Sequence, residues 1–297
     1  MEIEPTVTKH PLPSAFLQEE LSDKPFLSKC LPKLLRRKTY LRLQHPTIPL
    51  AISYIPIEET PVSRMKEVFQ RCLAVYDHLS IQAPIHIWFV PCKEKRRFPK
   101  PHEQVSQRHI NGGYTYLSDH SIFIYRLEEF PKVFLHEIIH NSKIHVKQWD
   151  PASLQKLYRT FHIHPSTRLE PNEAIIEVWA LMFHLSFLSQ HQNRPLEELL
   201  QEEIQWSLSQ AHKLLQHQKD YFPEWKEDTP SFSYIILKTI LLLHWDEFSK
   251  KRIPYSSKAL TAFFVKHRKL PNSPAPLVPL VPQSLATSMR MTRNGDE

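Results

Sequence analysis

The sequence predicts an α+β protein in which a strand-bearing first half is followed by an almost wholly helical second half. Two observations carry this. Between residues 51 and 126 short β-rich runs flank a single amphipathic helical pattern, and from about residue 128 the long segments repeat their apolar residues at helical spacing. A third observation bounds the folded part: after Leu270 a proline recurs every few positions, which neither helix nor central strand accepts. The expected division is an N-terminal extension over 1–45 and a core over 46–192 holding a small, twisted, mostly antiparallel sheet. A large helical lobe over 193–269 and a disordered Pro-rich tail over 270–297 complete it.

Residues 1–45 mix prolines with a short basic amphipathic piece, Leu31 to Leu43, and predict some helix. AISYIPI, at 51–57, reads as a strand. From about Thr60 to His78, Val62, Met65, Val68, Phe69, Cys72, Leu73 and Val75 fall at three- and four-residue steps, the mark of a helix. IHIWFVPC, at 85–92, is a strand with Ile85, Ile87 and Phe89 on one face and His86, Trp88 and Val90 on the other. Beyond a basic, proline-containing loop (93–104), INGGYTYL (110–117) and SIFIYR (121–126) are two more strands, joined by a turn around Ser118, Asp119 and His120.

A helix is expected from Glu128 to about Ile144. Glu128, Glu129 and Pro131 stand in its first turn, where carboxylates suit the helix dipole and proline lacks no needed donor. Helices over about 151–162, 171–191, 195–219, 231–250 and 257–268 follow. The richest apolar stretch, Tyr234 to Leu243, is interrupted by Lys238 and Thr239, so no run approaches the ~18 apolar residues of a membrane span.

Six Trp and sixteen Phe among 41% hydrophobic residues can fill a sizeable core. A net charge of +7 favours acidic partners, yet no known nucleic-acid-binding signature appears. Cys30, Cys72 and Cys92 are far apart and form no C-x-x-C pair, which predicts neither a disulfide framework nor a cysteine zinc ribbon and favours a reducing compartment. The N-terminus lacks the apolar run of a secretory signal, so the expected location is intracellular, in the cytoplasm.

Residues 136–140 read HEIIH inside the apolar segment VFLHEIIHNSKIH. On a helix, positions i and i+4 share a face, so His136 and His140 can present two imidazoles to one ion, with Glu137 in reach of a water on it. Zinc makes such a water acidic, and a neighbouring carboxylate takes its proton as it attacks a carbonyl. The flanking Val133, Phe134, Leu135, Ile138 and Ile139 predict a buried helix, where two His and a Glu are costly without partners. A third ligand is available in EPNEAIIEVWA (170–180): Glu173 and Glu177 stand i and i+4 on another apolar helix, Glu173 as ligand and Glu177 as the carboxylate that orients a ligating His. Glu170 is an alternative ligand, although Pro171 places it at or before the helix start. His145 is another, at i+5 from His140 and off the shared face.

HEIIH followed by NEAIIE resembles the gluzincin family of zinc peptidases, whose thermolysin-type members carry an N-E-A-x-x-D helix; here Glu177 stands in place of Asp. The resemblance implies a zincin-like core, one zinc ion held by His136, His140 and Glu173, Glu137 as general base, and Glu177 with Asn172 in the supporting shell. Residues 111–140 are also similar to uncharacterised metallopeptidases of large DNA viruses, which carry an edge strand, an R-x-E-E segment and a lysine before H-E-x-x-H. Those elements are here Arg126, Glu128, Glu129 and Lys132. Zincins lay an edge strand along the substrate just before the metal helix. NGGYTYL occupies that place, which implies substrate contacts at Gly113, Tyr114 and Thr115. The substrate is then a polypeptide, acidic if the run Lys93, Lys95, Arg96, Arg97 and Lys100 steers it rather than forming a solvated loop. Candidates for stabilising the oxyanion are His145, Tyr158, His164, Arg168, Tyr234 and His244, among which the sequence does not choose. The alternative to an active peptidase is an inactive zincin-fold scaffold or binding protein of viral origin.

Overall fold

The computed structural model describes residues 4–252, 255–271 and 287–295. In chain order the strands are β1 (Thr6–Pro11), β2 (Thr39–Gln44), β3 (Leu50–Tyr54), β4 (Ile85–Cys92), β5 (Gly113–Tyr116) and β6 (Ser121–Arg126). The helices are α1 (Ser14–Glu20), α2 (Leu31–Leu35), α3 (Val62–His78), α4 (Gln107–Ile110), α5 (Phe130–Ile139), α6 (Pro151–Phe161), α7 (Asn172–Gln192), α8 (Leu196–Tyr221), α9 (Lys238–Leu243), α10 (Trp245–Ser249) and α11 (Ser257–Lys266). They fall into two compact units. One is built from the described residues of Met1–Lys95, Asn111–Ser142 and Gly295–Glu297, the other from Arg96–Ile110 and Lys143–Asn294.

The first unit contains a six-stranded open sheet in the order β1-β2-β3-β4-β6-β5. The protein is α+β and its sheet is mostly antiparallel: only β3–β4 and β4–β6 run parallel. Parallel neighbours need a crossover, and α3 supplies the one between β3 and β4. The alternation in β4 sorts its residues as expected. Phe89 lies with its ring 5.0 Å from Phe130 and 5.3 Å from Phe134 of α5, while Trp88, on the other face, lies 5.0 Å from Tyr40 and 5.9 Å from Phe16. All ten residues of α5 are buried, and α5 packs on α3 as well as on β5 and β6. On the opposite face Leu17, Leu21, Leu27, Leu31 and Leu34 close over Val90, Cys92, Phe123 and Tyr125.

Two expectations change here. The N-terminal stretch supplies β1 and β2, two of the six strands, and the basic piece 31–43 divides into a short helix and a strand. Pairing with β1 and β3 decides the state of Thr39–Gln44, overriding a weak local pattern. The helix bearing HEIIH is also shorter than predicted. Glu129 adopts a left-handed backbone (φ 61°) as the residue before the first turn, so Glu128 and Glu129 precede the helix, and the helix ends at Ile139 with His140 as its C-terminal cap.

In the second unit, Leu157, Ile175, Val178, Leu181, Leu185, Leu199, Leu214, Ile236, Ile240 and Phe264 share one apolar core. The helix expected over 231–250 is a π-helical turn at Phe232–Leu237 followed by α9 and α10, which are separated at His244. Thr239 bonds back to the Ile235 carbonyl at 2.6 Å, the kind of side-chain bond that competes with regular helix geometry. No helix among the described residues is long and apolar enough to cross a membrane; within the apolar run Lys238 is buried and donates to the Met291 carbonyl at 2.7 Å.

The proline-rich stretch 272–286 lies outside the described residues. Beyond it Met289 and Met291 are buried in the core of this unit. The buried Glu203 carboxylate anchors the segment, accepting from the Thr292 hydroxyl and from the Arg293 and Asn294 amides at 2.9 and 3.0 Å. Burial pushes that carboxyl upward, against the pull of these donors. Glu203→Ala is expected to cost roughly 2–3 kcal/mol by orphaning several donors and to accelerate amide exchange at Arg293 and Asn294. Unchanged exchange there would show that something else holds the segment.

Candidate metal centre

Helix α5 presents His136 and His140 on one face. Their Nε2 atoms stand 3.3 Å apart, with ring centroids at 5.0 Å. Two nitrogens each ~2.0–2.1 Å from a tetrahedral ion would be about 3.3–3.4 Å apart, so the pair is spaced as ligands of one zinc would be. His136 and Glu137 are each 5% exposed, and His140 is half-buried.

Glu137 is oriented from the sheet. Its Oε2 accepts from the Thr115 hydroxyl at 2.7 Å, and that hydroxyl also lies 3.2 Å from the Glu137 carbonyl oxygen. Gly113, two residues earlier on the same strand, faces the other carboxylate oxygen. A Cβ there would stand 3.1 Å from Glu137 Oε1, 2.9 Å from the Phe123 carbonyl oxygen and 3.2 Å from Ile124 Cγ1. Space, not backbone dihedral, calls for glycine, because no glycine among the described residues has positive φ.

Strand β5 is an edge strand, antiparallel to β6, in the position anticipated for substrate binding. Its side chains are engaged within the protein. Gly113 and Thr115 turn toward Glu137, whereas Tyr114 turns to the opposite face, stacks on Phe123 at 5.4 Å and donates to Glu20 Oε1 at 2.8 Å. Tyr116 donates to the same oxygen at 2.7 Å. A partner strand would therefore meet β5 through its backbone edge.

Helix α7 carries the two glutamates. Pro171 precedes it, Glu173 is in the first turn and Glu177 one turn on, 9% and 2% exposed. Asn172, expected near the ligands, uses its side chain to pin the 146–149 loop: its Oδ1 accepts from the Val146 amide at 3.1 Å and Trp149 Nε1 at 2.9 Å, and its Nδ2 donates to the Val146 carbonyl at 2.9 Å. Glu170 stands before the helix and pairs with the exposed Arg168.

The ligand atoms of His136, His140 and Glu173 lie within 4.8 Å of one another. Neither Glu170 nor His145 belongs to this group, which is the one such metal-capable cluster among the described residues. No family model, curated protein or solved structure matches the chain. Two imidazoles with a carboxylate are a donor set that suits an open, three-ligand zinc site.

Several oxyanion candidates are committed elsewhere. The Tyr158 hydroxyl donates to the Thr167 carbonyl and accepts from the Leu169 amide at 3.1 Å; His164 is bonded to Ser166 at 2.7 Å; the His244 ring lies tilted against that of His267, centroids 3.7 Å apart. Sequence reasoning missed His120, whose Nδ1 meets Asn141 Oδ1 at 2.7 Å and so braces the residue after His140. Its place in the β5–β6 turn gave no sign of this contact.

Gly113→Ala is expected to lower stability by roughly 1–3 kcal/mol, because the added methyl meets a strand carbonyl that cannot swing away, and to displace the Glu137 carboxylate. Thermal melts and a structure of the variant check both effects. An unchanged melting temperature with Glu137 in place would contradict the packing described.

Proposed function

We propose that the protein is a zinc-dependent peptidase with a zincin-like core of the gluzincin type, in which His136, His140 and Glu173 hold one zinc ion and Glu137 is the general base. One observation carries the reading: three donors suited to zinc gather within 4.8 Å, and the carboxylate beside them is held by a strand hydroxyl instead of being one of the donors. Zinc bound there would supply a Lewis acid that polarises a carbonyl and brings the pKa of water to about 7.

The chain's own groups account for the proton. Thr115 occupies Glu137 Oε2, leaving Oε1 to receive the proton of the attacking water and afterwards to pass it to the departing amide nitrogen. The backbone edge of β5 would align an extended polypeptide, and Glu177 would orient a ligating imidazole. Lys95, Arg97 and Lys100 are exposed and would favour an acidic substrate, while Lys93 pairs with Glu59 and Arg96 is buried, donating to the Ile110 carbonyl.

Metal analysis tests the reading directly. Wild-type protein is expected to hold about one zinc per chain; His136→Ala and Glu173→Ala should lower affinity at least about tenfold. Glu137→Gln should keep the metal and lose hydrolysis of an unstructured polypeptide by about 10²-fold or more. Protein that cannot be loaded with zinc sinks the proposal, and loaded wild-type protein without peptidase activity turns it into a binding scaffold.

Thr115→Val is expected to retain zinc but to lower kcat by roughly tenfold, since one misdirected proton acceptor weakens general-base catalysis without removing it. An unchanged kcat would mean that the Thr115 hydroxyl does not position the base.

A further inference from the structure

The three cysteines are free thiols, and two of them, Cys30 and Cys92, meet in the same apolar cluster, where their side chains interact. Cys92 is the last residue of β4 and fully buried, in the cluster that packs against α1 and α2. Cys30 immediately precedes α2, is half-buried, and packs against that same cluster. Helix α2 lies directly on β4. We propose that Cys30 and Cys92 are a redox-active pair that closes to an intramolecular disulfide when the protein meets a small-molecule disulfide, Cys30 attacking first and Cys92 resolving.

The chemistry of the two thiols differs in the direction this order requires. A hydrogen bond from Cys92, helped by the Lys93 backbone and the Lys33 charge, lowers the Cys30 thiol to about 7 against the opposing effect of burial. A substantial fraction is then thiolate at neutral pH, and the thiolate is the nucleophile. Cys92 is raised by the same hydrogen bond and by burial. Cys72, fully buried on α3, is raised by burial.

The exchange balances in two steps. The Cys30 thiolate attacks one sulfur of the oxidant RSSR, forming Cys30–S–S–R and releasing one thiolate. Cys92 then gives up its proton and attacks the Cys30 sulfur, releasing the second RS⁻, so two protein thiols are oxidised and one RSSR is reduced to two RSH. In the mixed disulfide Cys30 no longer carries the charge that held the Cys92 proton in place. The product bond would fasten the α1–α2 segment to the end of β4, whose Cys92 carbonyl accepts from the Leu127 amide at 2.8 Å, three residues ahead of α5. This inference does not depend on the metal reading.

The test treats the full-length protein with glutathione disulfide and counts thiols after unfolding. The expected result is a fall from three thiols to one, a mass loss of two hydrogens, and a mapped Cys30–Cys92 cross-linked peptide. Cys92→Ser should accumulate the glutathione adduct on Cys30, and Cys30→Ser should remain unreacted. On wild-type protein, alkylation of Cys30 should rise with pH around a midpoint near 7. Three surviving thiols, a link involving Cys72, a stable adduct on wild-type Cys30, or a Cys30-linked dimer would each overturn the proposal, and the wild-type measurements decide it even if a variant fails to fold.

Discussion

The hydrogen bond from the Thr115 hydroxyl to the Glu137 carboxylate joins the edge of the sheet to a helix that has no exposed residue. A carboxylate at that depth is tolerated only with a donor of its own, since an unmet buried charge is far more costly than a buried methylene. The donor is available because the β5–β6 register sets Gly113 opposite Ile124 and Thr115 opposite Ile122, facing α5, with Tyr114 turned to the other side. A slip of one residue would exchange the faces, drive a tyrosine ring at the carboxylate and leave Glu137 without its donor. Register, helix burial and the orientation of the proposed base are thus one constraint.

The opposite face of β5 makes the slip harder. Tyr114 and Tyr116 both donate to Glu20 of α1, and Lys24 lies over the Tyr114 ring at 4.5 Å. The N-terminal segment, which looks from its prolines like an appendage, therefore grips the strand from behind while Thr115 holds it from the front. A short strand of four residues has too few backbone bonds to fix its own register, and these side-chain contacts supply the remainder.

Features written as periodicity were legible in the sequence: the α3 pattern, the alternation of β4, and the i, i+4 pairs on α5 and α7. Those depending on the meeting of distant segments were not. Strand β1 is exposed along most of its length, so no buried face imposes an alternation, and only pairing with β2 makes it a strand. The Thr115–Glu137, His120–Asn141 and Cys30–Cys92 contacts each join different elements, and nothing in the local composition of either partner announces the other. Asn172 is named from its motif position, and its hydrogen bonds to the 146–149 loop could not be read from the sequence.

The two edges of the sheet are managed differently, and the difference bears on the proposed reaction. Strand β1 ends in Pro11, carries Lys9 and is largely exposed, features that discourage another strand from adding to it. Strand β5 has neither proline nor charge among Gly113–Tyr116, and is protected only by its shortness. Shortness limits an added strand to a few residues, which disfavours aggregation; in the proposed reaction one extended peptide would pair there beside Glu137. Because Gly113 has no side chain and that of Thr115 is spent on the base, selectivity along this edge would come from backbone pairing and from side chains elsewhere. Substitutions on β5 should accordingly alter the orientation of Glu137 before they alter the choice of sequence.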